Sequence, residues 1–375
     1  MGAPGFRGYL RPDGGVGVRN HVVILSSVSC ANGVVNAVLR ELPEVKALTH
    51  TEGCGRGPSD LVNATRTLTG LGKNPNVAAV VVVGLGCEYL KAPWIAGEIK
   101  SSGKPVEMLV IQGEGGSQRT TEKAIEKVRR LLDQAQSVEQ CDVGWDKLTI
   151  GLECGGETES VRRANQALGG CADWLVGEGG RVIVGELSEM VARDPSVGDR
   201  MLHPDLLGKI QEAFQNQKQA LLKTLGRELE VELAPSAGRG LESLQTRAKV
   251  VDVLDYGAPP SKPGLHLMDT PSSDVFSLTG IAAGGAQLIV HLTDRGTPGG
   301  CPVAPVIKVS SRSELWQAME DDIDFDAGRV ASGSPPSEIA RELVTLLGEV
   351  ACGKQTKAEL NGYDLFGIHT VGPAF

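Results

Sequence analysis

Three cysteines in this 375-residue sequence share one local setting. "VKALTH-TEGCGRG" puts Cys54 just past an apolar run, with His50 and Glu52 before it. "VAAVVVV-GLGCE" does the same for Cys87 and Glu88, and "KLTI-GLECGG" for Glu153 and Cys154. Free cysteine is mostly a packing residue, so any one of these thiols alone reads as core. As a set they read as chemistry, because thiolate, imidazole and carboxylate make a shell for iron with a position left open for a substrate hydroxyl. The expected metal ligands are Cys54, Cys87 and Cys154, with His50 and Glu88 as further ligands or as acid and base. Fe2+ is the first choice of ion and Mn2+ the second; three thiolates could instead hold a [4Fe-4S] cluster with one open iron. Cys30, in "SSVSCANG", could join them, whereas Cys141, Cys171 and Cys352 read as structural.

A small anionic substrate on a chain of net charge −9 needs local positive charge. Arg19 and Asn20 in "GVGVRN" have the geometry to fork a carboxylate. A turn arginine that ties loops together is an equal reading. Asp294, Arg295 and Thr297 in "DRGTPGG" follow a strand-like run, and the glycines there let backbone approach an anion. Lys308 lies inside the apolar "PVIKVS", where an unpaired ammonium is costly. It either pairs with Asp324 or Asp326 as a structural group or lines a cavity as a catalytic one. His21, His266 and His291 begin or lie within strand runs and read as packing residues.

The elements that must position these groups are β-branched runs at 21–29, 45–50, 77–83, 105–111, 147–153, 181–186, 264–269, 287–294 and 305–310. Amphipathic stretches such as 120–136 and 204–226, with apolar residues three or four apart, alternate with them. Strand and helix in alternation predict an α/β protein of mostly parallel sheets covered by helices. In such sheets ligands sit outside the carboxyl ends of the strands, which is where the three cysteines fall. The hydrophilic "QSVEQCDVGWD" (136–146) marks a boundary between a first domain, 1–143, and a second, 144–375, with the active site at their cleft. An irregular stretch at 232–247 reads as an extended loop with a short helix.

Acidic charge and only 4% aromatic residues argue against a nucleic-acid partner. No apolar run approaches the roughly 20 residues that span a bilayer, and "MGAPGFRGYLRPDGG" shows no signal peptide. The expectation is a cytoplasmic protein with no membrane association.

"GYLRPDGGVGVRNHVVILSSVSCAN" (8–32), "HTEGCG", "GLGCE", "GLECGG", "MDTP" (268–271), "RGTPGG" (295–300), "PVIKV" and "DIDFDAG" (322–328) resemble, in order, the altronate and galactarate dehydratase family. The resemblance implies iron-dependent dehydration of a sugar acid or small 2,3-dihydroxy acid to a 2-keto-3-deoxy acid. Its alternative is sulfite elimination by a relative, the large subunit of sulfolactate sulfo-lyase. It further implies a large subunit working with a small β-clip subunit, a first domain that dimerises, and a variant Rossmann-like second domain. Glu157 and Thr158 stand where the family has Ser-Asp after "ECGG", and "PSAGRG" and "GIHTVGPAF" also depart from its pattern. A redox or nucleotide-binding protein, or a non-catalytic subunit, is the remaining alternative, although no GxGxxG follows a strand.

Overall fold

The computed structural model describes residues 5–154, 158–186, 195–212, 215, 219 and 244–372. The expected helix at 204–226 is helical over 205–212, and most of its remainder, like most of the loop at 232–247, lies outside the described residues. Gly155, Gly156 and Glu157 also lie outside them.

All nine expected runs are strands. In chain order the strands are β1 (Gly5–Leu10), β2 (Val16–Gly17), β3 (His21–Ser26), β4 (Lys46–Leu48), β5 (Val77–Gly84), β6 (Val106–Val110) and β7 (Cys141–Gly144). Then come β8 (Thr149–Cys154), β9 (Arg181–Val184), β10 (Val250–Leu254), β11 (Gly264–Met268), β12 (Leu288–Thr293), β13 (Val306–Ser310) and β14 (Phe325–Asp326).

They form two sheets that are parallel throughout, four strands in the order β4-β3-β5-β6 and seven in the order β10-β11-β9-β8-β12-β13-β14. The fold is α/β in two parts, as expected. The largely apolar character of β3, β5, β8 and β12, interrupted by Glu153 and His291 in the last two, follows from helices covering both faces. β1, β2 and β7 make a third, antiparallel sheet that the sequence did not announce. β7 falls inside the hydrophilic 136–146 stretch, and as a short strand with exposed Cys141 and Asp142 it carries no apolar alternation.

One core lies between the four-stranded sheet and the helices Asn32–Glu41 and Ser117–Gln136. Another packs the seven-stranded sheet on the helices Glu159–Gly177 and Pro336–Ala351. A third joins the two parts, with Leu68 and Leu71 of the helix Pro58–Lys73 in one cluster with Leu278 and Ile281 of the helix Asp274–Ala283. Two fully buried amides fasten that junction. Asn74 Nδ2 donates to the carbonyls of Ala282 and Ala286, and Asn76 Nδ2 to those of Gln287 and Val303, at 2.8–2.9 Å. Among the described residues no helix is long and apolar enough to cross a membrane.

Candidate active site

Polar side chains gather near the carboxyl edge of the seven-stranded sheet. Register places Glu153 of β8 beside His291 of β12, and His291 beside Lys308 of β13, so the three side chains share one face. They are 1%, 2% and 0% exposed, which makes this a charged row inside an otherwise apolar core. The helix Asp274–Ala283 covers the row, and Asp274 and Ser277, three residues apart, present to it from one helix face. Glu186, just past β9, completes the group with a backbone φ of 61°, a strained value for a side chain other than glycine.

Its hydrogen bonds have a defined direction. The Glu186 N–H donates to Thr270 Oγ1 at 2.6 Å, the Thr270 and Ser277 hydroxyls are 2.9 Å apart, and the Ser277 hydroxyl donates to Glu153 Oε2. Gly185 makes room for this: a Cβ there would lie 2.7 Å from Ser277 Oγ and 2.9 Å from both Glu153 Oε2 and Thr270 Oγ1. Burial, and then the neighbouring Glu186 charge, push the Glu153 carboxyl well above the usual carboxylate range. Burial and the same two glutamates raise the Cys154 thiol as well.

On the other side of the row, Lys308 Nζ lies 3.0 Å from His291 Nδ1, and His291 Nε2 lies 3.9 Å from an Asp274 oxygen. Burial lowers the Lys308 ammonium from 10.5 to about 8, against the pull of Asp274, Asp324 and Glu153. Burial and the Lys308 charge keep His291 neutral. Neither expected salt bridge of Lys308 forms at its ammonium: Asp324 instead accepts from the Lys308 backbone N–H at 2.7 Å. Asp274 is the half-exposed member, so the approach from solvent passes its carboxylate.

The other expected residues are dispersed. His50 is buried at the end of the four-stranded sheet with both ring nitrogens committed, Nε2 to the Ser26 carbonyl at 2.7 Å and Nδ1 to the Glu52 N–H at 3.1 Å. Burial lowers its pKa, and it ties two loops together as a neutral ring. Glu88 is an anchor of the same kind. Burial opposes its charge, yet donation from the Gly86, Glu88 and Ala92 N–H groups and the Ser27 hydroxyl holds it below the usual range. Cys54 and Cys87 are exposed on the loops beyond β4 and β5, whereas Cys154 is buried in the second sheet. Among the described residues no three His, Cys, Asp or Glu side chains are placed to hold a metal, so Cys54, Cys87 and Cys154 do not assemble the expected iron site.

Arg19 and Asn20 precede β3 and so lie at the opposite end of the sheet from the strand termini that bind ligands. Arg19 forks Glu359 at 2.8 and 2.9 Å and donates to the carbonyls of Val18, Val350 and Lys354. Asn20 accepts from Arg11 and donates to the Ala135 carbonyl. The loop-tying reading fits Arg19, whose five side-chain N–H donors all go to partners within the chain, and Asn20 shares it through its bonds to Arg11 and Ala135. Asp294, Arg295 and Thr297 do fall at a carboxyl edge, beyond β12. Asp294 accepts from Thr158, the N-cap of the helix Glu159–Gly177, and Thr297 accepts from the Gly299 N–H.

Residues 363–372 strap the two parts together. The Gly300 N–H donates to the Tyr363 carbonyl, Asp364 pairs with Lys46, and Phe366 meets the His50 ring edge-on at 6.2 Å. His369 lies between Tyr256 and Phe276, and Asp60 accepts from the Val371 and Gly372 N–H groups. The strap thus connects the start of the Asp274 helix with the loops that carry His50 and Glu52.

Family models match nearly the whole chain: the second domain of D-galactarate dehydratase/altronate hydrolase over residues 8–136, and the C-terminal domain of D-galactarate/altronate dehydratase over 145–374. Altronate dehydratase of Bacillus subtilis is 29% identical over 98% of this chain and 78% of its own length. The galactarate dehydratase (L-threo-forming) of Escherichia coli is 30% identical over 97% and 75%. The (2R)-sulfolactate sulfo-lyase subunit beta of Chromohalobacter salexigens is 31% identical over 96% of both chains. With matches of this extent in both parts, the chain belongs to the galactarate/altronate dehydratase family.

Proposed function

We propose that the protein is a hydro-lyase that removes water from a sugar acid, or a small 2,3-dihydroxy acid, to give a 2-keto-3-deoxy acid, and that the buried row near the carboxyl edge of the second sheet is its acid–base machinery. The observation that carries this is the alignment of Glu153, His291 and Lys308 at one register, with Asp274 at the mouth. Elimination needs a base for the proton beside the carboxylate. An amine lowered to about 8 is partly free near neutrality, and it can take that proton. His291 can pass it from Nδ1 to its Nε2 side and on to Asp274 and solvent. No step is routed through iron, because the donor set expected for it is not assembled among the described residues.

Asp294, Arg295 and Thr297, beyond β12, are the groups proposed to meet the substrate. We further propose a cytoplasmic enzyme that works as a homodimer or higher oligomer with a small β-clip subunit. The subunit name of the sulfo-lyase relative supports the last point, and exposed Tyr89 and Trp94 beside the groove between the helices Pro58–Lys73 and Ala92–Lys100 support oligomerisation.

The test is a panel of altronate, galactarate and shorter 2,3-dihydroxy acids, with and without added Fe2+ or Mn2+ and the small subunit, read by 2-keto-3-deoxy acid formation. Product from the wild type, lost in Lys308→Met, supports the proposal; no product under any condition removes it. The sulfo-lyase reading rests on the full-length similarity to subunit beta, and sulfite release from sulfolactate separates it from dehydration.

A further inference from the structure

We propose that Asp324 is the positioning residue for Lys308: its carboxylate fixes the backbone of that lysine and supplies the standing negative charge that stabilises the ammonium formed when Lys308 takes the substrate proton. The inference rests on the reading of Lys308 as the base and adds the group that sets its basicity. Asp324 directly precedes β14, one step before the Val309–Phe325 pair, and so lies level with Lys308 of β13. The Asp324 N–H donates to the Lys308 carbonyl at 3.0 Å, and Asp324 Oδ2 accepts from the Lys308 N–H at 2.7 Å. One residue thus holds both backbone groups of the lysine. In a parallel ladder that N–H meets a neutral main-chain carbonyl. Here a carboxylate takes the place, which the ladder itself does not require.

The second oxygen is tied down as well. Asp324 Oδ1 accepts from the Lys357 N–H at 2.9 Å, and Lys357 Nζ donates to the Ile323 carbonyl at 2.8 Å. Lys357 opens the short helix Lys357–Leu360, whose start is closed by the reciprocal cap between Thr356 and Glu359. With an N–H on each oxygen the carboxylate is locked in orientation, and both bonds favour its ionised form against the upward pull of burial. Asp326, two residues on, is spent instead on the Ser313 hydroxyl and the Gly328 N–H.

The other groups facing Lys308 supply less fixed charge. Glu153, from β8, is held well above the usual carboxylate range by burial. Asp274, from the covering helix, has a side chain 49% exposed, so water screens it. His291, from β12, is neutral, and Lys357 is the cation that faces Asp324. Asp324 is therefore the anion of fixed place and fixed charge beside the base, and it is among the groups that oppose loss of the Lys308 proton.

The test compares Asp324→Asn and Asp324→Ser, which remove the charge and still offer an oxygen to the Lys308 N–H, with Asp324→Glu, which keeps the charge on a longer arm. The readout is the acidic limb of kcat/KM for 2-keto-3-deoxy acid formation, which reports the free base. It should move to lower pH by roughly half a unit to one unit in the two charge-free variants and stay in place in Asp324→Glu. The misplaced base should lower kcat roughly 10-fold in all three. A merely structural role would lower kcat with the limb unmoved. Urea unfolding gives a readout without turnover. The stability difference between wild type and Lys308→Met changes with pH from about 8 upward, and in an Asp324→Asn or Asp324→Ser background that change should begin lower by the same shift. An unmoved limb, or an unmoved unfolding window, in a charge-free variant that folds would overturn the assignment while leaving a dehydratase in place. A wild type inactive on every acid would overturn the reading of Lys308 as base, and this assignment with it.

Discussion

Lys308→Met is expected to stabilise the protein while destroying its activity. The fall of the ammonium from 10.5 to about 8 means that burying the charge costs about 3 kcal/mol below pH 8. Methionine fills a similar volume without a charge, but it leaves His291 Nδ1 without its 3.0 Å partner, a loss of about 1–2 kcal/mol. The balance near pH 7 is a gain of about 1–2 kcal/mol. Its pH dependence is the sharper test. Between about 8 and 10.5 the unfolded chain still holds the lysine proton and the folded chain has released it. Wild-type stability therefore gains over the variant as pH rises through that window, and the advantage of the variant is gone by about pH 10. Urea unfolding of both proteins at pH 7, 8.5 and 10 measures the difference. A variant less stable than wild type at pH 7 by an amount that does not change with pH would refute the buried-charge argument. Turnover within tenfold of wild type would refute the role of Lys308 as base, for which roughly 10²–10⁴-fold is expected.

Gly185→Ala puts a methyl group within 3 Å of three oxygens, and should cost about 1–3 kcal/mol in stability and far more in kcat; unchanged turnover would show that the glutamate pair is not used. Arg19→Ala should lower stability by about 3 kcal/mol in urea unfolding by stranding the largely buried Glu359, with KM for the sugar acid unchanged; a raised KM would return Arg19 to the substrate. Thiol titration of the native protein should count the five exposed cysteines and reach all eight only on unfolding. Cys54→Ala and Cys87→Ala should each leave activity within twofold, and loss of bound iron together with activity in either would restore the thiolate site.

The parallel strands were legible because β-branched runs buried on both faces have few other uses, and Lys308 was legible because a charge inside such a run demands a reason. The same signal was present in "LIVHLT", where His291 occupies the matching position one strand earlier, yet a histidine in an apolar strand also reads as packing. Glu153 was noticed only as a companion of Cys154. Glu186, Asp274 and Ser277 carry no local motif, and Thr270 was noticed only within "MDTP"; the stretch 270–277 meets Glu186 and Glu153 because register and a covering helix bring distant parts of the chain together. The cysteine pattern misled for a related reason. A shared context after three strands does not make three strand ends neighbours when the strands belong to two sheets. Arg19 precedes its strand, and direction along the chain was enough to place it at the wrong edge.

The strap at 363–372 also sets a timetable for biosynthesis. Asp60 is bound by the N–H of Val371, 311 positions later. At about 5–20 residues per second, roughly 15–60 s separate the two on the ribosome. For most of that interval the helix Pro58–Lys73 lacks Leu278 and Ile281, the late-made members of the cluster that holds Leu68 and Leu71. The nascent first part is therefore the stage at which this chain is most exposed to aggregation and most in need of a chaperone.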